Sequence, residues 1–370
     1  MKLKKSYNAI LKNIKTSINK IDKYVPGEAE DKLKKSIKLS SNESPFLISK
    51  KIKEKIYSKL SDSNIYPDGD CKILKNAISM RYNIDKNQLI CGNGSDDILA
   101  MIGLAFAKEN FEIICHKFGF LYYPIIGYAV GAKVKFTSSN SLDINPEDIL
   151  KKITKKTRII FIANPNNPTG SIIRKNDLVN MLKCIRKDIV VVLDGAYAEY
   201  VEEKDYSDGL ELVKKFPNVI VTRTFSKIYA MAGFRIGWAY SSRVIIETLE
   251  KIRGPFNVNL LAQVAGSLII NDTIFLKKSI EHNKKWKSWL VKEINSIGLK
   301  AIPGFANFVL IKATENYSAS NIVNILKSKG IFVRGLSSYG LKNYFRISIG
   351  KKEDLITLVN HLKIIAKKKK

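Results

Sequence analysis

The chain has 370 residues, 45% of them hydrophobic and 9% aromatic, a length and composition that allow a large core and exclude global disorder. Lys and Arg number 63 against 34 Asp and Glu, a formal charge of +29. The lysines run along the whole chain and form no arginine-rich, aromatic-interleaved stripe, so the excess reads first as compositional bias, with a nucleic-acid surface as the alternative.

In chain order, Leu3, Tyr7, Ile10, Leu11, Ile14, Ile18 and Ile21 recur at steps of three and four, which predicts one amphipathic, lysine-studded helix. Its lysine-dense start, MKLKKSYNAILKN, lacks the apolar centre of a secretion signal. A loop, YVPGEAEDK (24–32), follows. From residue 88 to 240, short β-rich runs alternate with helical stretches: QLICG (88–92), FEIICH (111–116), KVKFT (133–137), RIIFIA (158–163), IVVVLD (189–194), NVIVTRT (218–224) and IGWAY (236–240). Near-continuous apolar runs between helices mark strands buried on both faces. They predict an α/β domain whose wide, mostly parallel seven-stranded sheet is covered by helices. The apolar runs are far below the ~18 residues that span a bilayer.

Beyond residue 245 the pattern becomes α+β, as expected of a smaller second domain. A long helical region over 243–296, interrupted at Gly254-Pro255, precedes ANFVLIK (306–312), a helix near 318–329, IFVRG (331–335), YFRISIG (344–350) and a last helix. The expected division is an N-terminal helix and arm (1–30), a segment joining the small domain (31–60), a large domain (61–255) and a small domain (256–370). Cys71, Cys91, Cys115 and Cys184 are widely spaced, with no CxxC pair and only 3 histidines. That spacing suits neither a metal site nor a disulfide framework, and it fits a reducing cytoplasm.

Open α/β sheets bind ligands outside the carboxyl ends of their strands. After QLICG comes GNGSDD (92–97), a glycine-rich loop opening a helix whose free N–H groups suit a phosphate. After RIIFIA stands NPNNPTG (164–170), an abrupt stop in which proline restricts its own φ and the residue before it. After IVVVL stand Asp194 and Tyr197; after NVIVTRT stand Lys227 and Arg235. Singly, these read as a helix cap, core packing and surface cations. Together they set a carboxylate, a lysine, a phosphate-ready loop and an arginine on one rim. Pyridoxal phosphate needs that set: a lysine for its aldehyde, an acid for its ring nitrogen, and donors for its phosphate.

These stretches, with YVPG (24–27), KLSSNESPF (38–46), YPDG (66–69), GPFNV (254–258) and RGLSSYGLKNYFRISIG (334–350), resemble the fold-type I aminotransferases. Within that family they are similar to the histidinol-phosphate aminotransferases, from about residue 24 to 360. The resemblance implies that Lys227 binds the cofactor's aldehyde and moves the α-proton, and that Asp194 keeps the pyridine nitrogen protonated. Asn167 and Tyr197 would hydrogen-bond the ring oxygen, and Phe120 would stack on the ring. Ser95, Asp96, Thr224, Ser226 and Arg235 would hold the phosphate, with Tyr66 reaching it from the second subunit of a homodimer. Arg334 and Arg346, with Tyr24 and Asn167, would bind substrate as forked donors to phosphate or carboxylate. The implied reaction is transamination between L-histidinol phosphate and 2-oxoglutarate. The same machinery suits an aromatic aminotransferase or a threonine-phosphate decarboxylase-like enzyme, and the charge leaves a basic nucleic-acid binder as a remote alternative. Asp97 and Ile228 depart from the family pattern, the latter beside the lysine.

Overall fold

In a computed structural model describing residues 13–23, 36–138, 141–314 and 318–367, every one of the seven apolar runs between 88 and 241 forms a strand. The first strand of the chain, β1 (Ile37–Leu39), belongs to a smaller sheet. The large sheet comprises β2 (Leu89–Gly92), β3 (Glu112–Cys115), β4 (Lys133–Phe136), β5 (Thr157–Ala163), β6 (Val190–Asp194), β7 (Val219–Thr224) and β8 (Gly237–Ser241). Their spatial order is β2-β8-β7-β6-β5-β3-β4, and only β8 pairs antiparallel with its neighbours.

Both faces of this sheet are buried, which explains why its strands read as unbroken apolar runs. Val191, Leu193, Val219 and Val221 enter one core cluster; Val190, Val192 and Ile220 enter the other. The split follows the period of two along a strand. The smaller sheet adds β9 (Lys300–Pro303), β10 (Phe308–Lys312), β11 (Ile331–Gly335) and β12 (Tyr344–Ser348), in the order β1-β11-β12-β10-β9. Its own core includes Leu39, Val309, Phe345 and Leu358. β1 pairs in parallel with β11, so the chain enters the small sheet before it builds the large one.

Two expectations differ from what is observed. The predicted N-terminal helix falls partly outside the described residues, at Leu3, Tyr7, Ile10 and Leu11. Within them, Thr16–Lys20 is a single 3-10 turn with Ile18 exposed, too short to bury an apolar face. The long helical region also breaks twice, giving helices Arg243–Glu250, Leu260–Ile269 and Thr273–Ser296. The second break lies at Asp272, whose carboxylate accepts from the Phe275 N–H (2.9 Å) and so starts a new helix. Among the described residues no single helix is long and apolar enough to cross a membrane, and none form a His/Cys/Asp/Glu group suited to a metal. All four cysteines are free, only Cys184 being exposed.

Ile220, fully buried beneath the large sheet, supplies a test of this core. Ile220→Ala should cost about 2–5 kcal/mol of unfolding free energy. Urea denaturation would reveal the loss as an earlier midpoint, and an unchanged midpoint would contradict the packing.

Candidate active site

Strand register fixes the site. Ala163 pairs with Asp194 and Asp194 with Thr222, so the loops leaving β5, β6 and β7 start at one level. Gly237 pairs with both Thr224 and Gly92, bringing the loop after β2 to the same rim. A cavity of about 270 Å³ opens there, lined by Ser95, Asp96, Asp194, Lys227, Arg235 and Arg346 among others.

At the centre is Lys227, whose Nζ donates to the Ser41 carbonyl (3.1 Å) and lies 6.0 Å from the Tyr197 ring. Burial pushes its pKa down to about 8, and the Arg346 guanidinium adds to the depression while Asp96 and Glu43 oppose it. Asp194, 5% exposed, accepts from the Tyr123 hydroxyl (2.8 Å) and the Ala196 N–H (3.2 Å). Burial raises its pKa, since these neutral donors do not offset the loss of water. A cationic ring nitrogen is the partner such a carboxylate favours. The Tyr197 hydroxyl accepts from Asn42 Nδ2 (2.8 Å), and its ring packs edge-on against Phe308 (5.5 Å).

One end of the cavity is built for an anion. Ser95 opens the twelve-residue helix Ser95–Phe106, which has no side-chain cap and turns its first N–H groups toward the rim. The Thr224 hydroxyl accepts from the Ser226 N–H (3.1 Å), and Arg235 donates to the Ser226 hydroxyl (3.4 Å) and pairs with Asp96 (3.3 Å). Space is tight here: a Cβ on Gly237 would lie 2.4 Å from the Ser95 nitrogen. Only glycine permits this approach.

At the other end, Arg334 and Arg346 are paired across β11 and β12, and both are buried. Arg346 donates to the Asn167 side-chain oxygen and to the Ser40 carbonyl (2.9 Å), with its guanidinium over the Phe308 ring (5.1 Å). Within NPNNPTG, Asn167 lines the cavity. Asn164 and Asn166 instead bond within and beside the loop, to Ile173, Thr169 and Phe118. Phe120 also lines the cavity, edge-on to Tyr123 (5.6 Å).

The donor set therefore fits pyridoxal phosphate: a lysine of lowered pKa, a buried acid, a hydroxyl–amide pair, and a helix start backed by an arginine. Two expected residues are not among the described lining of this cavity, one of them expected from a second subunit and the other undescribed. Tyr66 is 79% exposed and stacks on Phe256 (4.5 Å), away from the cavity lining. Tyr24 lies outside the described residues. Sequence reasoning missed Asn42, Ser41 and Tyr123. KLSSNESPF carried the first two as a motif, but nothing in its spacing tied it to a strand end of the large sheet. Asn42 has φ 57°, a left-handed conformation that asparagine tolerates.

Comparison with known proteins places this geometry. Residues 34–362 match the family aminotransferase class I and II. The histidinol-phosphate aminotransferase of Pelagibacter ubique is 38% identical over 94% of this chain and 97% of its own. That of Maricaulis maris is 36% identical over 93% and 96%. Among solved structures, the histidinol-phosphate aminotransferase of Sinorhizobium meliloti, in complex with pyridoxal-5'-phosphate, superposes with a TM-score of 0.89 at 24% identity, covering 97% of this chain and 99% of that one. The L-threonine-O-3-phosphate decarboxylase of Porphyromonas gingivalis shares the fold, at 20% identity, 90% and 99% coverage, and a TM-score of 0.78. The chain belongs to the aminotransferase class I and II family, and within it stands with the histidinol-phosphate aminotransferases.

Proposed function

We propose that this chain is a pyridoxal-phosphate-dependent transaminase of histidine biosynthesis. It moves an amino group reversibly between L-histidinol phosphate and 2-oxoglutarate, yielding imidazole-acetol phosphate and L-glutamate. The carrying observation is the buried pair Arg334 and Arg346 at the mouth of a cavity that already contains a lysine and a separate anion cradle. Two forked cations suit a substrate phosphate in one half-reaction and a carboxylate in the other.

When bound, pyridoxal phosphate supplies an aldehyde for the amino group and a ring that accepts the electrons of the broken Cα–H bond. The chain's residues do the rest. Lys227, its pKa lowered to about 8 by burial, gives up its proton more readily than an ordinary lysine, which suits it to take a proton from the substrate and return it. Asp194 would accept from the ring nitrogen's N–H and so keep that nitrogen protonated. Tyr197 and Asn167 orient the ring oxygen, and Phe120 covers the ring. Ser95, the Asp96 backbone, Thr224, Ser226 and Arg235 anchor the phosphate. Asn167 joins the two arginines around the substrate, and Tyr24, the first residue of YVPG, is the further phosphate contact that the sequence resemblance implies. The exposed Tyr66–Phe256 stack suits an interface, where Tyr66 of a second copy completes the phosphate site. Free cysteines suit the reducing cytoplasm.

Four outcomes test this reading. Lys227→Ala should abolish the visible absorbance of the loaded protein and cut turnover by at least about 10²–10⁴-fold; retained colour and rate would remove Lys227 from its role. In cofactor-free protein, the rate at which an amine-selective reagent labels Lys227 should rise with pH through a midpoint near 8. Arg346→Gln should move that midpoint up, because a neutral side chain no longer penalises the ammonium. Arg346→Ala should raise KM for both histidinol phosphate and glutamate by about 10–100-fold, as expected for lost charged hydrogen bonds. Turnover of phenylalanine alone, with no reaction of histidinol phosphate, would overturn the substrate assignment and leave the cofactor assignment standing.

A further inference from the structure

Behind the cavity, on the face of β7 opposite Thr222 and Thr224, lies a buried polar cluster that the chemistry above does not use. Its centre is Arg223, 1% exposed. Nη1 donates to the Gly195 carbonyl (3.2 Å) and Nη2 to the Asp208 carbonyl (2.8 Å). The guanidinium also pairs with the carboxylates of Asp208 (3.1 Å) and Glu199 (3.7 Å). Glu199 is itself enclosed, accepting from the Tyr82 hydroxyl (3.3 Å). Burial pushes its carboxyl pKa up, and Arg223 opposes that shift.

Taking a guanidinium out of water costs several kcal/mol, and an ion pair only partly offsets it, so apolar packing would serve stability at least as well. What the cluster adds is geometry. Arg223 grips the segment leaving β6 by a hydrogen bond at Gly195 and by a longer ion pair at Glu199 (3.7 Å), its Nε making no hydrogen bond, and the two grips bracket Ala196, Tyr197 and Ala198. The fit leaves no slack, since a Cβ on Gly195 would lie 1.6 Å from Nη1. Between these grips the Ala196 N–H holds the Asp194 carboxylate (3.2 Å), and Tyr197 presents its hydroxyl to Asn42.

We propose that Arg223 is a positioning residue, a forked clamp that fixes the turn after Asp194 so that Asp194 and Tyr197 face the cofactor ring together. This rests on the pyridoxal-phosphate reading of the cavity. Lysine keeps the charge but not the fork, so Arg223→Lys separates geometry from electrostatics.

The test compares wild type, Arg223→Lys and Glu199→Gln, each titrated with pyridoxal phosphate and followed by its visible band across pH. Arg223→Lys should stay folded, with a thermal midpoint within a few degrees of wild type. It should bind the cofactor about 10–100-fold more weakly and lose kcat by a similar factor with KM unchanged. Its visible band should titrate at higher pH, because a displaced Tyr197 no longer stabilises the ring oxygen. Glu199→Gln, which frees one grip, should show the same changes to a smaller degree. Wild-type affinity, kcat and band midpoint in both variants would overturn the proposal, as would losses in Arg223→Lys that are fully restored by lowering temperature. If Arg223→Lys fails to fold, Glu199→Gln decides by the same readouts. A wild-type protein that does not bind pyridoxal phosphate would instead refute the functional reading itself.

Discussion

The pairing of β5, β6 and β7 in one parallel register is the constraint on which the site depends. Parallel strands deliver their carboxyl ends to the same edge, and each end must there turn away from the sheet. Because Ala163, Asp194 and Thr222 are aligned, the turns carry Asn167, Tyr197 and Lys227 to one cavity without long loops. A slip of one residue in β6 would move Asp194 to the opposite face and replace it with an apolar neighbour. Register is held by burial on both faces: Val191 and Leu193 are committed to one core, Val190 and Val192 to the other.

The second sheet closes the cavity through few contacts. The chain just after β1 crosses the mouth, where the Ser40 carbonyl accepts from Arg346, that of Ser41 from Lys227, and Asn42 donates to Tyr197. Asn42 is itself fixed from the small sheet: its N–H donates to the Ser348 hydroxyl (2.8 Å), and its carbonyl accepts from Asn307 (3.0 Å). Three consecutive residues thus connect Lys227, Tyr197 and Arg346. The acceptors here from residues 40 and 41 are backbone carbonyls, which hold the two side chains without adding a negative charge beside them.

Much of this was legible in the sequence because strand ends advertise themselves. A core strand that stops on Asp194, or on NPNNPTG, signals chemistry or a turn, and several such stops on one edge favour chemistry. The residues that escaped notice act through tertiary contacts with no local signal. Tyr123 sits on the helix Tyr122–Ala129 and reads as core packing, stacked on Phe161 (4.8 Å), yet its hydroxyl reaches Asp194. Arg223 reads as a break in an apolar strand, and its carboxylate partners, Glu199 and Asp208, come from an earlier turn and loop. The break at Asp272 depended on a capping bond that outweighs continuing apolar periodicity. Tyr66 marks another limit, since its expected role lies across an interface that one chain does not contain.

The electrostatics of the cavity are local, despite a chain charge of +29. Surface lysines lie in high dielectric, where salt screens them beyond about 10 Å. Lys227 instead responds to burial first and then to named neighbours: Arg346 and Arg235 lower its pKa, while Asp96 and Glu43 raise it. The cations are divided between the ends of the cavity, Arg235 at the helix start and Arg334 with Arg346 at the mouth. An anion bound at the mouth would screen Arg346 and make the Lys227 ammonium easier to form.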